Sequence, residues 1–135
     1  MPAGALEQFE EDFSLFDSWE DRYRYLIELG GRLEPMGDAL KTPETLVKGC
    51  TSRVWLIAEI NDGRFHFTAD SDAHIVRGLV YLLLTAYQDR TAAEIRAVDI
   101  KTSFDRMGLH QHLSPSRRNG FFAMVERINT LAAGS

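Results

Sequence analysis

The sequence predicts an α+β domain in which a small antiparallel sheet of about three strands packs against helices. Three observations carry that reading. Two runs with period-two alternation, Arg53 to Ile60 and Arg64 to Ala69, flank the turn signal Asn61-Asp62-Gly63, as in a β-hairpin. Segments with helical spacing of apolar residues lie on both sides of that hairpin, and strands grouped in mid-chain with helices to either side oppose an alternating parallel sheet. The chain has 135 residues, so a single domain spanning 1–135 can bury a real core, and no repeat or low-complexity linker divides it.

The elements follow in order. Leu6, Phe9, Phe13 and Phe16 recur at helical spacing opposite Glu7, Glu10, Glu11 and Asp12, which predicts an amphipathic first helix. Asp17 and Ser18 offer caps to a second helix with the stripe Trp19, Tyr23, Leu26 and Ile27, ended by Gly30-Gly31. Pro35, Gly37 and Thr42-Pro43 mark a loop from Arg32 to Glu44, followed by a short extended segment, Thr45 to Lys48. In the first hairpin strand, Val54, Leu56, Ala58 and Ile60 alternate with Trp55, Ile57 and Glu59, which predicts a largely buried surround; Trp55 reads as a sheet or core aromatic.

After the hairpin, Asp70-Ser71-Asp72 supplies caps and first-turn acidity for a helix to about Tyr87. Ile75, Val76, Leu79, Val80, Leu82, Leu83 and Leu84 cover more than one face of it, the pattern of a central core helix. Thr91 and Glu94 fit a capping box for a short helix to about Val98, and a second short helix over Ser103 to Met107 stops at Gly108. Ser114-Pro115 opens a last helix with the stripe Phe121, Met124, Val125, Ile128 and Leu131.

Composition narrows the function. Fifteen basic and twenty acidic side chains give a net charge of -5, which provides no general attraction to a phosphate backbone, so nucleic acid is not expected as a partner. The longest apolar run, Gly78 to Leu84, is far shorter than the roughly 20 residues of a membrane span. With an acidic N-terminus lacking a signal peptide's basic region, the expected location is the cytoplasm, with no membrane partner. The single cysteine, Cys50, excludes an internal disulfide, a Cys-x-x-Cys pair and a thiolate cage for zinc or iron-sulfur. His110 and His112 alternate without a further ligand cluster, so no metal site is expected; His66 and His74 carry no assignment.

Chemistry, if there is any, centres on Lys48-Gly49-Cys50-Thr51-Ser52. A thiol that only fills a core sits on a periodic apolar face. Cys50 instead lies among small residues just before an apolar strand, and Gly49 allows backbone geometry closed to other residues.

Three segments carry a resemblance: Val47-Lys48-Gly49-Cys50-Thr51-Ser52-Arg53-Val54-Trp55, then Ala69-Asp70-Ser71-Asp72-Ala73 leading into Ile75-Val76-Arg77-Gly78, and His112-Leu113-Ser114-Pro115-Ser116-Arg117 with Asn119-Gly120. In order and spacing they look like the signatures of the SufE family of sulfur-acceptor proteins, and Trp19 to Gly30 is similar to that family's second helix. The resemblance implies the helix-covered antiparallel sheet shared with IscU-type scaffolds. It also implies that Cys50 accepts persulfide sulfur from a SufS- or CsdA-like cysteine desulfurase, stimulates that enzyme, and relays the sulfur to a SufB-like iron-sulfur scaffold. Pyridoxal phosphate belongs to the desulfurase, and this chain needs no cofactor of its own.

Around Cys50, the expected supporting residues are Gly49 as a hinge, Ser52 as a loop support, Asp72, His112 and Arg117, with Arg53, Lys48 or the incoming desulfurase site as the source of positive field. Asp72 reads both as a first-turn carboxylate and as part of the surface that meets the desulfurase. His112 and Arg117 read as loop packing or solvated charge, and by resemblance as groups near the cysteine or the partner interface. Two other classes stay open on the residues alone. One is a cysteine hydrolase with Cys50 as nucleophile, His112 as base and an aspartate to orient it; the other is a non-catalytic interaction module.

Overall fold

A computed structural model describes residues 4–47 and 53–133. Its elements are α1 (Gly4–Ser14), α2 (Trp19–Gly31), a 3-10 turn (Asp38–Leu40), β1 (Val54–Asn61), β2 (Arg64–Ser71), α3 (His74–Tyr87), α4 (Ala92–Ala97), α5 (Ile100–Arg106), α6 (Leu109–His112) and α7 (Pro115–Ala133). The α+β class predicted above is the one observed. Among the described residues, however, two strands make the sheet rather than about three.

The reason lies at the sheet edges. Of the segment expected to be extended, Thr45 to Lys48, the described residues 45–47 make one antiparallel bridge, Leu46 with Trp55. Val47 N–H donates to Val54 C=O at 2.8 Å and Leu56 N–H to Thr45 C=O at 2.8 Å, enough to cover β1 without extending the ladder. On the far side, Phe65 exchanges backbone bonds with Asp89 and Arg90. The Gln88 side-chain amide then stands in for a strand, accepting from Phe67 N–H at 2.6 Å and donating to Phe67 C=O at 2.7 Å. An uncovered strand edge invites pairing with other chains, and here the Val54–Leu56 end of β1 and the Phe65–Phe67 stretch of β2 are covered.

The hairpin turns through Asp62 (φ 54°) and Gly63 (φ 78°), the left-handed pair that a two-residue loop between Asn61 and Arg64 requires. Phe65, Phe67 and Ala69 of β2 enter the core, while Glu59, His66 and Thr68 face outward. The surround of β1 is less buried than its apolar run suggests, since Glu59, Ile60 and Asn61 are exposed. Only the end of the sheet nearest Arg53 is buried on both faces, with Val54, Trp55, Asp70 and Ser71 all enclosed.

α3 is the central element. Val76, Leu79, Val80, Leu82, Leu83 and Ala86 are all buried between α2 and the sheet. The α2–α3 crossing is close because Gly78 faces Leu26: a Cβ at position 78 would stand 2.1 Å from the Leu26 carbonyl oxygen. Gly30 fits tightly against the start of α3 as well. This crossing buries Leu26, Leu29 and Gly30 and leaves Ile27, expected in the stripe, 45% exposed.

Local signals are followed closely. Ser18 Oγ accepts from Asp21 N–H, and Thr91 with Glu94 forms both bonds of the capping box. Gly108, at φ 75°, terminates α5 in the left-handed conformation. α5 begins at Ile100, ahead of the expected Ser103, because Asp99 caps it through Thr102 N–H. α6 has no counterpart among the predicted elements; its one turn buries Leu109, and Leu113 directly after it is buried too. Of the α7 stripe, Phe121, Met124 and Ile128 are buried, with Val125 and Leu131 partly so. No helix among the described residues is long and apolar enough to cross a membrane.

The glycine crossing yields a paired prediction. Gly78→Ala forces backbone apart and is expected to cost about 3 kcal/mol in urea denaturation. Gly31→Ala, with nothing within 4 Å of the added Cβ, is expected to stay within about 1 kcal/mol of the parent on the stabilising side.

Candidate functional site

The cysteine segment lies between two anchors. On its N-terminal side is Val47, buried and bonded to Val54. On its C-terminal side is Arg53, whose backbone is held three times: its N–H donates to Asp72 Oδ1 at 3.2 Å, and its C=O accepts from Ser71 Oγ at 2.7 Å and from Asp72 N–H at 3.3 Å. Cys50, Gly49, Ser52 and Lys48 themselves lie outside the described residues.

This geometry corrects the reading of Asp70-Ser71-Asp72 as helix caps. Asp70 and Ser71 are the last two residues of β2, and the N-cap of α3 is Ala73, which makes no side-chain cap bond. Asp72 is not a first-turn carboxylate either, since α3 has no acidic residue in its first turn. Ser71 and Asp72 turn to the Arg53 backbone, Ser71 Oγ also accepting from Ala73 N–H at 3.3 Å, and Asp70 turns to the Met36 and Ser71 amides and to two cations. Short polar side chains do this readily when a neighbouring strand leaves amides and carbonyls within reach.

Asp70 is the most heavily used of them. Only 2% of it is exposed, so its charge must be matched. Oδ1 accepts from Ser71 N–H at 2.8 Å and pairs with the Arg77 guanidinium; Oδ2 accepts from Met36 N–H at 3.0 Å and lies 3.6 Å from Lys41 Nζ. Arg77 also donates to Gly30 and Leu33 carbonyls at the end of α2, at 3.2 and 3.0 Å. Lys41 sits over the Trp55 ring, 5.0 Å from its centroid. Burial alone would raise the Asp70 carboxyl; the Met36 and Ser71 amides, with Arg77 and Lys41, outweigh it and hold the group below its ordinary value.

The expected residues are thus only partly brought together. Arg53 and Asp72 meet directly, through the Arg53 backbone. The Arg53 side chain is exposed and makes no ion pair among the described residues. Arg117 lies in the first turn of α7, where its N–H donates to Ser114 Oγ at 3.3 Å. No hydrogen bond or ion pair among the described residues joins Arg117 to Arg53 or Asp72. His112 is the last residue of α6.

Lys41, Met36 and the Asp70–Arg77 pair escaped the sequence reading. One signal was available: Arg77 is a lone charge within the apolar run of α3, and a buried cation there needs an anionic partner. Among the described residues, no group of three or more His, Cys, Asp or Glu could hold a metal ion.

Comparison with known proteins bears on this anchored segment. The family model described as "SufE: Fe-S metabolism associated domain" matches residues 7–132. The chain belongs to the SufE family. It is 43% identical over 134 residues to a SufE-like protein of Rhizobium meliloti (strain 1021), covering 96% of each chain. It is 45% identical over 138 residues to a SufE-like protein of Rhizobium etli, covering 95% of this chain and 93% of that one. The solution structure of a hypothetical protein from Thermus thermophilus superposes with a TM-score of 0.77 at 20% identity over the whole of both chains, which shows a shared fold. SufE membership assigns this chain to Fe-S metabolism.

Linkage at Asp70 gives a pH prediction. A carboxyl depressed in the folded state contributes stability that is fully present above its unfolded value, near pH 3.9, and is lost as pH falls through the lower folded value. Asp70→Asn is therefore expected to cost about 3 kcal/mol at pH 7, where it strands two cations. The gap from the parent should narrow steadily below about pH 4 in denaturant titrations, since protonation then removes the same charge from the parent.

Proposed function

We propose that this SufE-family chain is a sulfur acceptor: Cys50 takes the outer sulfur of a persulfide on a cysteine desulfurase and relays it to an iron-sulfur assembly scaffold. The observation that carries the reading is the double anchorage of the cysteine segment. Arg53 is held by three backbone-directed bonds and Val47 by the sheet, with Cys50 three residues from each in the sequence. A carrier needs a firm base that can be docked repeatedly against a partner and a single thiol on the chain between its anchors.

The reaction conserves atoms and electrons without an added oxidant. The Cys50 thiolate attacks the terminal sulfur of the donor's Cys–S–SH; the new S–S bond forms as the donor's S–S bond breaks, and the donor cysteine leaves as a thiolate. Cys50 then carries –S–SH, and the same exchange with a thiolate on the scaffold delivers the sulfur. Removing the persulfide frees the desulfurase for another turnover, which is how an acceptor stimulates it.

An ordinary cysteine, with a pKa of about 8.5, is mostly protonated at neutral pH, so a nearby cation accelerates the attack by raising the thiolate fraction. The exposed Arg53 guanidinium is one such charge within the described residues, and Lys48 and the desulfurase site are the others. Asp70 is committed to the Met36 and Ser71 amides and to Arg77 and Lys41, so it is not the orienting carboxylate of a hydrolytic triad built on Cys50 and His112.

The test is intact-mass measurement without reductant after incubation with a pyridoxal-phosphate-dependent cysteine desulfurase and L-cysteine. The expected outcome is a gain of one sulfur atom by the parent, reversed by reductant and absent from Cys50→Ser, with desulfurase turnover stimulated by the parent alone. A parent that gains no sulfur, or a Cys50→Ser variant that still does, overturns the reading.

A further inference from the structure

The partners of Asp70 point to a role beyond holding a strand end together. An ion pair out of water recovers its desolvation cost only when every lone pair and proton is matched, and an apolar replacement of similar volume often stabilises as well or better. Asp70 is matched on all sides, and its partners divide by oxygen. The Oδ1 side holds Ser71 N–H and Arg77; Ser71 Oγ in turn grips the Arg53 carbonyl, the C-terminal anchor of the cysteine segment. The Oδ2 side holds Met36 N–H and Lys41; Lys41 lies on the Trp55 ring, and Trp55 is bridged to Leu46, next to the N-terminal anchor Val47. One carboxylate thus reaches both anchors, each through a different oxygen.

We infer that Asp70 is a positioning residue for sulfur transfer, setting the separation and register of the Val47 and Arg53 anchors by holding Ser71 with one oxygen and Lys41 with the other. The inference rests on the sulfur-acceptor reading above. Asp70 touches neither donor nor acceptor and acts only through Ser71, Lys41 and Trp55. Its role in catalysis is geometric: a reacting group displaced by about 1 Å can lose up to a hundredfold in rate. Asn in its place has nearly the same volume and keeps an oxygen for one amide, but cannot serve two amides and two cations together.

Two variants test this, each followed by hydrogen exchange and by single-turnover sulfur uptake from a persulfide-loaded cysteine desulfurase. In Asp70→Asn, the Arg53 and Val47 amides should lose protection while the core amides of Leu79 and Leu83 keep theirs, and uptake at saturating donor should fall about tenfold. In Lys41→Gln, which changes a partly exposed side chain and tolerates folding, only the Val47 amide should loosen and uptake should fall about threefold. Cys50 reactivity toward iodoacetamide should change less than uptake in both, since docking geometry rather than thiol chemistry is disturbed. Protection lost equally at Arg53 and Leu79, or full uptake by both variants, overturns the inference. If the parent itself accepts no sulfur, the sulfur-acceptor reading falls and the proposed positioning role in transfer falls with it; exchange at Arg53 and Val47 still reports whether Asp70 holds the anchors.

Discussion

A carboxylate taken out of water must find opposite charge and hydrogen-bond donors, and Asp70 meets that demand by recruiting four separate residues. Arg77 comes from α3, Met36 and Lys41 from the segment after α2, and Ser71 from the end of β2 itself. Arg77 extends the same network to the carbonyls that end α2. The end of the sheet that carries the cysteine segment is therefore rich in polar connections, although it is also nearly closed to solvent. Such a network is costly when any member is missing, so its completeness imposes one arrangement on the surrounding backbone.

That arrangement depends in turn on apolar packing. A two-stranded sheet has little stability of its own, and here it is held by α3 on one face and by short covering contacts at both edges. α3 can serve α2 and the sheet together because Gly78 lets the Leu26 backbone come within a distance no side chain allows. The close crossing sets where Arg77, one residue before Gly78, projects, and so brings its guanidinium to Asp70 and to the end of α2. Core packing and the polar network are consequently one structure seen at two depths.

For the single-thiol carrier proposed above, this division is chemically sensible. Persulfide exchange needs no cofactor and no metal on the acceptor; it needs a thiolate presented to a partner's sulfur in line with the bond to be broken. The chain supplies a base whose anchors are held through their backbone groups, Val47 by Val54 and Arg53 by Ser71 and Asp72. The exposed Arg53 side chain lies at the anchor itself, whose amide donates to Asp72 Oδ1.

Much of this protein was determined by its sequence alone. Caps at Ser18 and Thr91, the turn at Asp62-Gly63 and the stop at Gly108 are local signals, each satisfied within a few residues, and the apolar surfaces of α3 and α7 are periodic ones that any covering core would satisfy. The unusual setting of Cys50 and the three SufE-like segments were likewise legible, since a motif is a property of order and spacing. Only the tertiary structure decided what the polar residues of the second motif do. Asp70, Ser71 and Asp72 have the composition of a helix cap, and a local reading ends there. Their distant partners, Met36, Lys41, Arg53 and Arg77, are 7 to 34 residues away for Asp70 and 18 or 19 for Ser71 and Asp72. A side chain's choice among competing donors is settled by which backbone groups packing leaves unsatisfied, and that information exists only once the chain has folded.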